Sequence, residues 1–330
     1  MPARVAVDAL GGDDAPAAVV RGALDAVASD PDLELLLVGD PALIGAEAAA
    51  AERVRVVPAA GAVTQDADPA EAVRADPPPS IAVAARLVRD GEADALVSAG
   101  HSGATLAAAV LLVGRAAGVS RPALAAVLPG ATGPTVLVDA GANMDATARQ
   151  LHEFAHLGCA FAEDVLGVRD ATCGLLAIGE EPGKGDQRVK DAHALIAADP
   201  ALRYRGSVEG RDALTSKVDV IVADGFAGNV LLKACEGTAR EAFRRVRAEA
   251  TGPRAALGGL LLRPALRRVR DDLDPDTYGG AHLLGARGVV VVAHGAARPH
   301  GIAQACRYAA DGARAELPAR IAARVAALDR

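Results

Sequence analysis

Cys173-Gly174-Leu175-Leu176-Ala177-Ile178-Gly179-Glu180-Glu181-Pro182-Gly183-Lys184-Gly185-Asp186 is the stretch that decides the fold. A short apolar run fit for a buried strand stops in a glycine loop, and the amphipathic pattern 187–196 follows at once. Strand, glycine loop and helix in this order form the unit by which an α/β sheet offers backbone N–H groups and a helix N-terminus to an anion. The loop holds one ammonium, Lys184, between two glycines. The chain has 35 Lys+Arg, yet only residues 184, 190, 217 and 233 are lysine. In so arginine-biased a sequence, a lysine kept between glycines points to a need for a compact point charge.

Outward from this loop the same unit recurs. Apolar runs at 4–8, 33–38, 54–57, 94–98, 123–128, 134–139, 173–178, 218–223 and 288–293 read as strands. Helical patterns lie between them at 15–28, 80–90, 103–115, 147–165, 187–198 and 227–249. Such alternation predicts βαβ units around a mostly parallel sheet, with helices on both faces. The expected architecture is therefore three-layer α/β/α, with residues 1–330 forming one catalytic unit or two lobes around a cleft.

Composition narrows the function. The chain is 51% hydrophobic but only 2% aromatic, so its core rests on Ala, Val and Leu. The scarcity of stacking rings and the net charge of −7 argue against nucleic acid as a partner. Cys159, Cys173, Cys235 and Cys306 are scattered and form no CxxC pair, which argues for a reduced, cytoplasmic protein without a structural zinc. The N-terminus enters a strand directly and has no signal-peptide pattern. Residues 95–114 lack charge, but the Ser98-Ala99-Gly100-His101-Ser102-Gly103 break divides them into strand, loop and helix.

Five strand ends carry polar or glycine-rich loops. They lead to Asp8 and Gly12; to Gly100, His101, Ser102 and Gly103; to Asp139 and Asn143; to Glu180, Lys184 and Gly185; and to Asp224 with Asn229. In an open α/β sheet, ligands bind at the carboxyl ends of strands, so these residues are expected to converge on one crevice. Singly, Asp8 and Asp139 read equally well as helix caps, and His101 as a loop-internal hydrogen-bonding residue. No GxGxxG opens the first βαβ unit, and no GxxxxGK[ST], GxSxG or HExxH is present.

In combination, Val7-Asp8-Ala9-Leu10-Gly11-Gly12-Asp13, Leu96-Val97-Ser98-Ala99-Gly100, Val138-Asp139-Ala140-Gly141-Ala142-Asn143, Gly183-Lys184-Gly185 and Asp224-Gly225-Phe226-Ala227-Gly228-Asn229 closely resemble the PlsX family of phosphate acyltransferases. Arg121-Pro122-Ala123-Leu124, Glu209-Gly210-Arg211-Asp212, Gly279-Gly280-Ala281 and Ala293-His294-Gly295 extend the match from about residue 4 to about 310. The resemblance implies a homodimeric bacterial enzyme of phospholipid synthesis that moves a fatty acyl group from acyl carrier protein to inorganic phosphate. It also implies a fold similar to the isocitrate and isopropylmalate dehydrogenases. Its acyl phosphate product would pass to a membrane glycerol-3-phosphate acyltransferase. Two positions depart from the family pattern: His101-Ser102 stands where Asn-Thr is usual, and Ala75-Asp76 where a Lys-Lys pair is usual.

Transfer from a thioester to phosphate needs position, charge relief and donors for a tetrahedral oxyanion, with no metal, nucleotide or other cofactor. The candidate catalytic residues are Lys184 for charge, Asn229 as amide donor and His294 to protonate the leaving thiolate. Gly100, Ser102 and Gly103 offer a backbone cradle. Asp8, Gly12, His101, Asp139, Asn143, Glu180, Gly185 and Asp224 complete the expected substrate-binding set.

Residues 238–270 stand apart. Nine arginines against Glu241 and Glu249 give this segment a net +7 in a chain of −7. The apolar run 255–262 lies in its middle. It reads either as a solvated helix pair whose leucines pack on a neighbour or as a protruding helical hairpin with an apolar tip. In the second reading, Leu260, Leu261, Leu262, Arg263 and Arg267 meet an anionic membrane surface or the acidic carrier protein, which makes the enzyme peripherally membrane-associated. Two other functions remain open on the residues alone: an NAD-dependent decarboxylating dehydrogenase of similar fold, and a non-catalytic lipid- or carrier-binding protein.

Overall fold

A computed structural model describes residues 2–181 and 183–328. The side chains of residues 253–257 and 275 lie outside the described residues, and with them the first part of the apolar run 255–262. The strands are β1 (Ala3–Asp8), β2 (Leu33–Gly39), β3 (Val54–Pro58), β4 (Ala95–Ser98), β5 (Ala123–Pro129), β6 (Pro134–Val138), β7 (Thr172–Leu176), β8 (Arg203–Val208), β9 (Val220–Val222), β10 (Ala281–Leu284) and β11 (Val289–Val292). They form one 11-stranded sheet in the order β3-β2-β1-β4-β11-β10-β5-β6-β9-β7-β8.

The helices are α1 (Ala17–Ser29), α2 (Pro41–Ile44), α3 (Ala46–Ala50), α4 (Pro69–Ala72), α5 (Ser80–Arg89), α6 (Ser102–Ala108), α7 (Ala148–Asp164), α8 (Gln187–Ala197), α9 (Gly225–Glu249), α10 (Pro253–Asp272), α11 (Pro299–Arg314) and α12 (Leu317–Ala326). A π-turn over Ala109–Val113 extends α6. No helix among the described residues is long and apolar enough to cross a membrane.

All nine strands read from the sequence are present. The sequence reading passed over β8 and β10. β8 lies at the sheet edge, where Arg203 and Arg205 break the apolar pattern, as charge commonly does on edges. β10 has four residues, and His282 interrupts its apolar run.

The sheet is mostly parallel, but its polarity changes in the middle. β5 and β6 are joined by only residues 130–133, too short for a crossover, so they must pair antiparallel. β10 also runs antiparallel to both its neighbours, β11 and β5. As a result β1, β4 and β11 point one way, while β6, β9, β7 and β8 point the other.

Alternate residues of the strands feed two faces. On one face α1 and α11 pack over β1, β2, β4 and β11, while α7, α8 and α12 pack over β5, β6, β7 and β9. On the other face α5 and the 104–113 segment cover the first half, and residues 213–218 with part of α9 cover the second. Between those last two clusters, the middle of the sheet is left uncovered.

The segment 238–270 falls on α9 and α10, which meet at Ala250-Thr251-Gly252. Leu260, Leu261 and Leu262 therefore lie in the middle of α10. The expected apolar tip at a hairpin turn is corrected to an exposed stretch of helix. Leu261 is 75% exposed, and Leu262, Leu266 and Val269 continue the exposed apolar surface at helical spacing.

Candidate active site

The uncovered middle of the sheet forms a cleft of about 410 Å³. Leu124, Ala126 and Leu128 of β5 pave its floor with Ala281 and Val292, because residues two apart on a strand share a face. Leu106 stands on one wall, and Leu214, Leu232 and Cys235 on the other. Ser102, Gly141, Asn229, Lys233, Tyr278 and His294 add polar groups to this apolar slot. Lys233 is held by Glu236 at 2.9 Å.

One wall is built by the loops after β1, β4 and β11. The Asp13 N–H donates to the Gly295 carbonyl at 2.8 Å, tying the first loop to the last. Gly11 lets the first two loops touch, since a Cβ there would stand 2.8 Å from the Gly100 nitrogen. Beneath them Asp8 is buried and accepts the Ser98 hydroxyl at 2.7 Å. Burial pushes the Asp8 carboxyl upward, opposed by the Ser80 and Ser98 hydroxyls. Its Oδ1 has no hydrogen-bond partner among the described residues.

Asp8, Gly12, Gly100 and His101 line a second, smaller cavity of about 210 Å³, into which no lysine or arginine among the described residues reaches. His101 is the N-cap of α6, and its Nδ1 accepts the Ala104 N–H at 3.2 Å. Its imidazole thus supplies the acceptor that a capping Asn commonly provides. Gly103 sits beneath that ring, within 2.9 Å of its Cε1 as measured from a Cβ position. His294 has a similar arrangement: its Nδ1 accepts the Ala296 N–H at 3.2 Å, so the neutral ring carries its proton on Nε2.

The opposite wall is built around Asp139. Its Oδ1 accepts the N–H groups of Leu124 (2.9 Å), Gly141 (3.0 Å) and Ala142 (2.9 Å). Its Oδ2 accepts the backbone N–H (2.6 Å) and side-chain amide (2.8 Å) of Asn143. Burial pushes this carboxyl upward, and the donors around it pull the other way. Asp139 and Asn143 are thus committed to holding the 139–143 loop.

Asp224 caps α9 through the N–H groups of Phe226 and Ala227, and its Oδ2 accepts Arg188 at 3.0 Å. The Asn143 carbonyl accepts the Gly225 N–H at 2.7 Å. At Gly228 a Cβ would stand 1.9 Å from the Asp139 carbonyl oxygen, so only glycine lets α9 seat this closely. That seating places Asn229 beside Gly141. The Asn229 amide is half-buried and makes no side-chain hydrogen bond among the described residues.

The five strand ends expected to converge on one crevice divide: those of β4, β6 and β9 reach the cleft, and that of β1 lines the smaller cavity beside it. The ends of β1, β4 and β11 and those of β6 and β9 approach the cleft from opposite edges, across the face of β5 and β10. The β7 loop behaves differently. Lys184, Glu180 and Gly185 line neither cavity. Glu180 pairs with Lys217 at 2.7 Å, whereas exposed Lys184 has no ion-pair partner among the described residues. The apolar floor was missed as a site because β5 reads in sequence as an ordinary core strand. The alternation of Leu124, Ala126 and Leu128 was its only signal.

The fatty acid synthesis protein family matches residues 3–320. A phosphate acyltransferase of Heliobacterium modesticaldum is 44% identical over 94% of this chain and 93% of its own. One from Thermobifida fusca is 46% identical over 93% and 87%. This chain belongs to that family, the PlsX phosphate acyltransferases.

Membership in the PlsX family makes the chain an acyltransferase. In fold it is similar to a Streptococcus pyogenes phosphotransacetylase (TM-score 0.64, 17% identity, 95% of this chain and 94% of that one). It is also similar to a putative 4-hydroxythreonine-4-phosphate dehydrogenase of Salmonella typhimurium (TM-score 0.53, 13% identity, 94% and 99%). The PlsX chain therefore has the dehydrogenase-like fold expected from its sequence.

Proposed function

We propose that the chain transfers a fatty acyl group from acyl carrier protein to inorganic phosphate and releases an acyl phosphate for phospholipid synthesis. The observation that carries this reading is the apolar-floored cleft with Ser102, Asn229 and His294 in its lining, in a chain of the phosphate acyltransferase family. The floor of Leu124, Ala126 and Leu128 suits an acyl chain, and the polar groups suit its thioester head.

In the reaction a phosphate oxygen attacks the thioester carbonyl carbon, and the tetrahedral adduct collapses with loss of the C–S bond. The proton that hydrogen phosphate brings ends on sulfur, so the balance needs no other reactant. Asn229 donates its amide N–H to the developing oxyanion or to phosphate. His294, with its proton on Nε2, donates a hydrogen bond to the departing sulfur as the phosphate proton passes to it. Ser102 and the N–H groups opening α6 hold phosphate. Lys184 supplies charge from the loop after β7, a role resting on its glycine-flanked position and its lack of an ion-pair partner among the described residues. Asp8, Asp139, Asn143 and Asp224 position the loops.

The working form is a homodimer, and the exposed leucines of α10 with Arg263 and Arg267 meet an anionic membrane. There the product passes to a membrane acyltransferase acting on glycerol 3-phosphate. The test is acyl phosphate formation from acyl carrier protein and phosphate, trapped with hydroxylamine. Turnover should persist in chelator and without nucleotide. A strict requirement for NAD would favour the dehydrogenase reading instead.

A further inference from the structure

On the face of the sheet opposite the cleft, α7 and the end of α8 carry a group of side chains that acyl transfer does not use. His152 and His156 stand one turn apart on α7, so both rings leave the same side of that helix. Asp199 lies just beyond α8. Its Oδ2 is 2.7 Å from Nε2 of His152 and 2.8 Å from Nε2 of His156. The two rings sit edge to face, with centroids 5.3 Å apart. The other carboxylate oxygen accepts the Ala201 N–H at 2.8 Å, which turns Oδ2 toward the histidines.

These contacts define the protonation state. The Asp199 carboxylate stands among the Ala201 N–H and the Nε2 atoms of the two rings. An ionised carboxylate only accepts, so both Nε2 atoms must carry the donated hydrogens. Two N–H groups thus converge on one oxygen, where a single cation would do the same work.

We propose that His152, His156 and Asp199 form a divalent-metal site of zinc type that staples α7 to the end of α8. The three donor atoms lie within 4.8 Å of one another. Bonds of about 2.0–2.2 Å in a tetrahedron separate ligand atoms by roughly 3.3 Å, so insertion needs the present contacts to open by about half an ångström. On binding, each Nε2 must give up its hydrogen to present a lone pair to the metal, which leaves Nδ1 as the protonated ring nitrogen. Imidazole with carboxylate suits zinc, and suits magnesium or calcium poorly. His156 is 4% exposed but His152 is 16% and Asp199 11%, which leaves an entry on the His152 side and room for a water as fourth ligand. The nearby cation Arg324 is already paired with Glu163. The sequence argument against zinc rested on cysteine spacing and did not weigh a histidine pair with an aspartate that only tertiary packing supplies.

The test uses the full chain, stripped with chelator and then titrated with zinc chloride by calorimetry and thermal melting. At a hundredfold excess over Kd, wild type should melt about 4 °C higher. Cobalt(II) should give the intense visible bands of a tetrahedral centre. Asp199→Asn keeps an acceptor for both imidazole N–H groups while losing the anionic ligand, so it separates a metal site from a hydrogen-bonded clamp. It should lose the zinc-induced shift. His152→Gln, on the exposed side, should lose it too, and serves if the asparagine variant melts too low to titrate. The proposal is overturned if wild type shows no zinc-dependent shift. It is equally overturned if either variant retains the full shift, since the metal then binds elsewhere.

Discussion

Asp139→Asn is an isosteric change that the structure makes severe. The carboxylate accepts five hydrogen bonds, three on Oδ1 and two on Oδ2. An amide can present an oxygen on one side only. In its better orientation the oxygen keeps the contacts from Leu124, Gly141 and Ala142. The new NH₂ then faces the two N–H donors of Asn143 at 2.6 and 2.8 Å. Leaving two buried donors unsatisfied costs about 1–3 kcal/mol each, so a loss of roughly 3–5 kcal/mol is expected. Urea unfolding followed by circular dichroism should show a lower midpoint with an unchanged slope. Activity should fall as well, because the same loop sets Gly141 beside Asn229. A variant within about 1 kcal/mol of wild type would refute the reasoning, since the five donors would then be held by something other than charge.

Four further outcomes are expected. Asn229→Ala should lower kcat about a hundredfold, the usual effect of removing one oxyanion donor, with a melting temperature near wild type because the amide makes no hydrogen bond among the described residues. Lys184→Ala should lose at least about a hundredfold in rate, about 2.7 kcal/mol of barrier, while remaining folded; near-normal turnover would remove this lysine from the mechanism. Replacing Leu260, Leu261 and Leu262 with serine should release the enzyme from anionic vesicles in flotation assays while turnover survives, whereas an inactive monomer would assign these leucines to the dimer interface. His282 is buried without a hydrogen-bond partner for either nitrogen among the described residues, and burial brings its pKa down to about 3. The unfolded chain therefore takes up this proton first, and stability should decline as pH falls from about 6.5 toward 3, with a slope up to about 1.4 kcal/mol per pH unit from this ring. His282→Phe should remove that component from the pH profile of urea midpoints.

The apolar runs and helical patterns determined the α/β class, because burial on both faces leaves a strand no choice but a continuous apolar run. Local chemistry was legible for the same reason. The Asp224-Gly225-Phe226-Ala227-Gly228-Asn229 sequence carries its own cap and close-packing glycine. Residues 123–128 and 134–139 each read correctly as strands, yet nothing in either run states that the pair reverses the sheet. That reversal comes from the short loop of residues 130–133, since β10, antiparallel to both β11 and β5, leaves those two strands pointing the same way. It makes the crevice on which the loops were expected to converge a cleft between two walls facing each other across β5. Only tertiary structure decided that Leu124, Ala126 and Leu128 form a cleft floor, since being uncovered depends on where helices from distant sequence fail to pack. The same holds for His152, His156 and Asp199. The spacing of the two histidines is local, but the carboxylate reaches them only because α8 packs against α7.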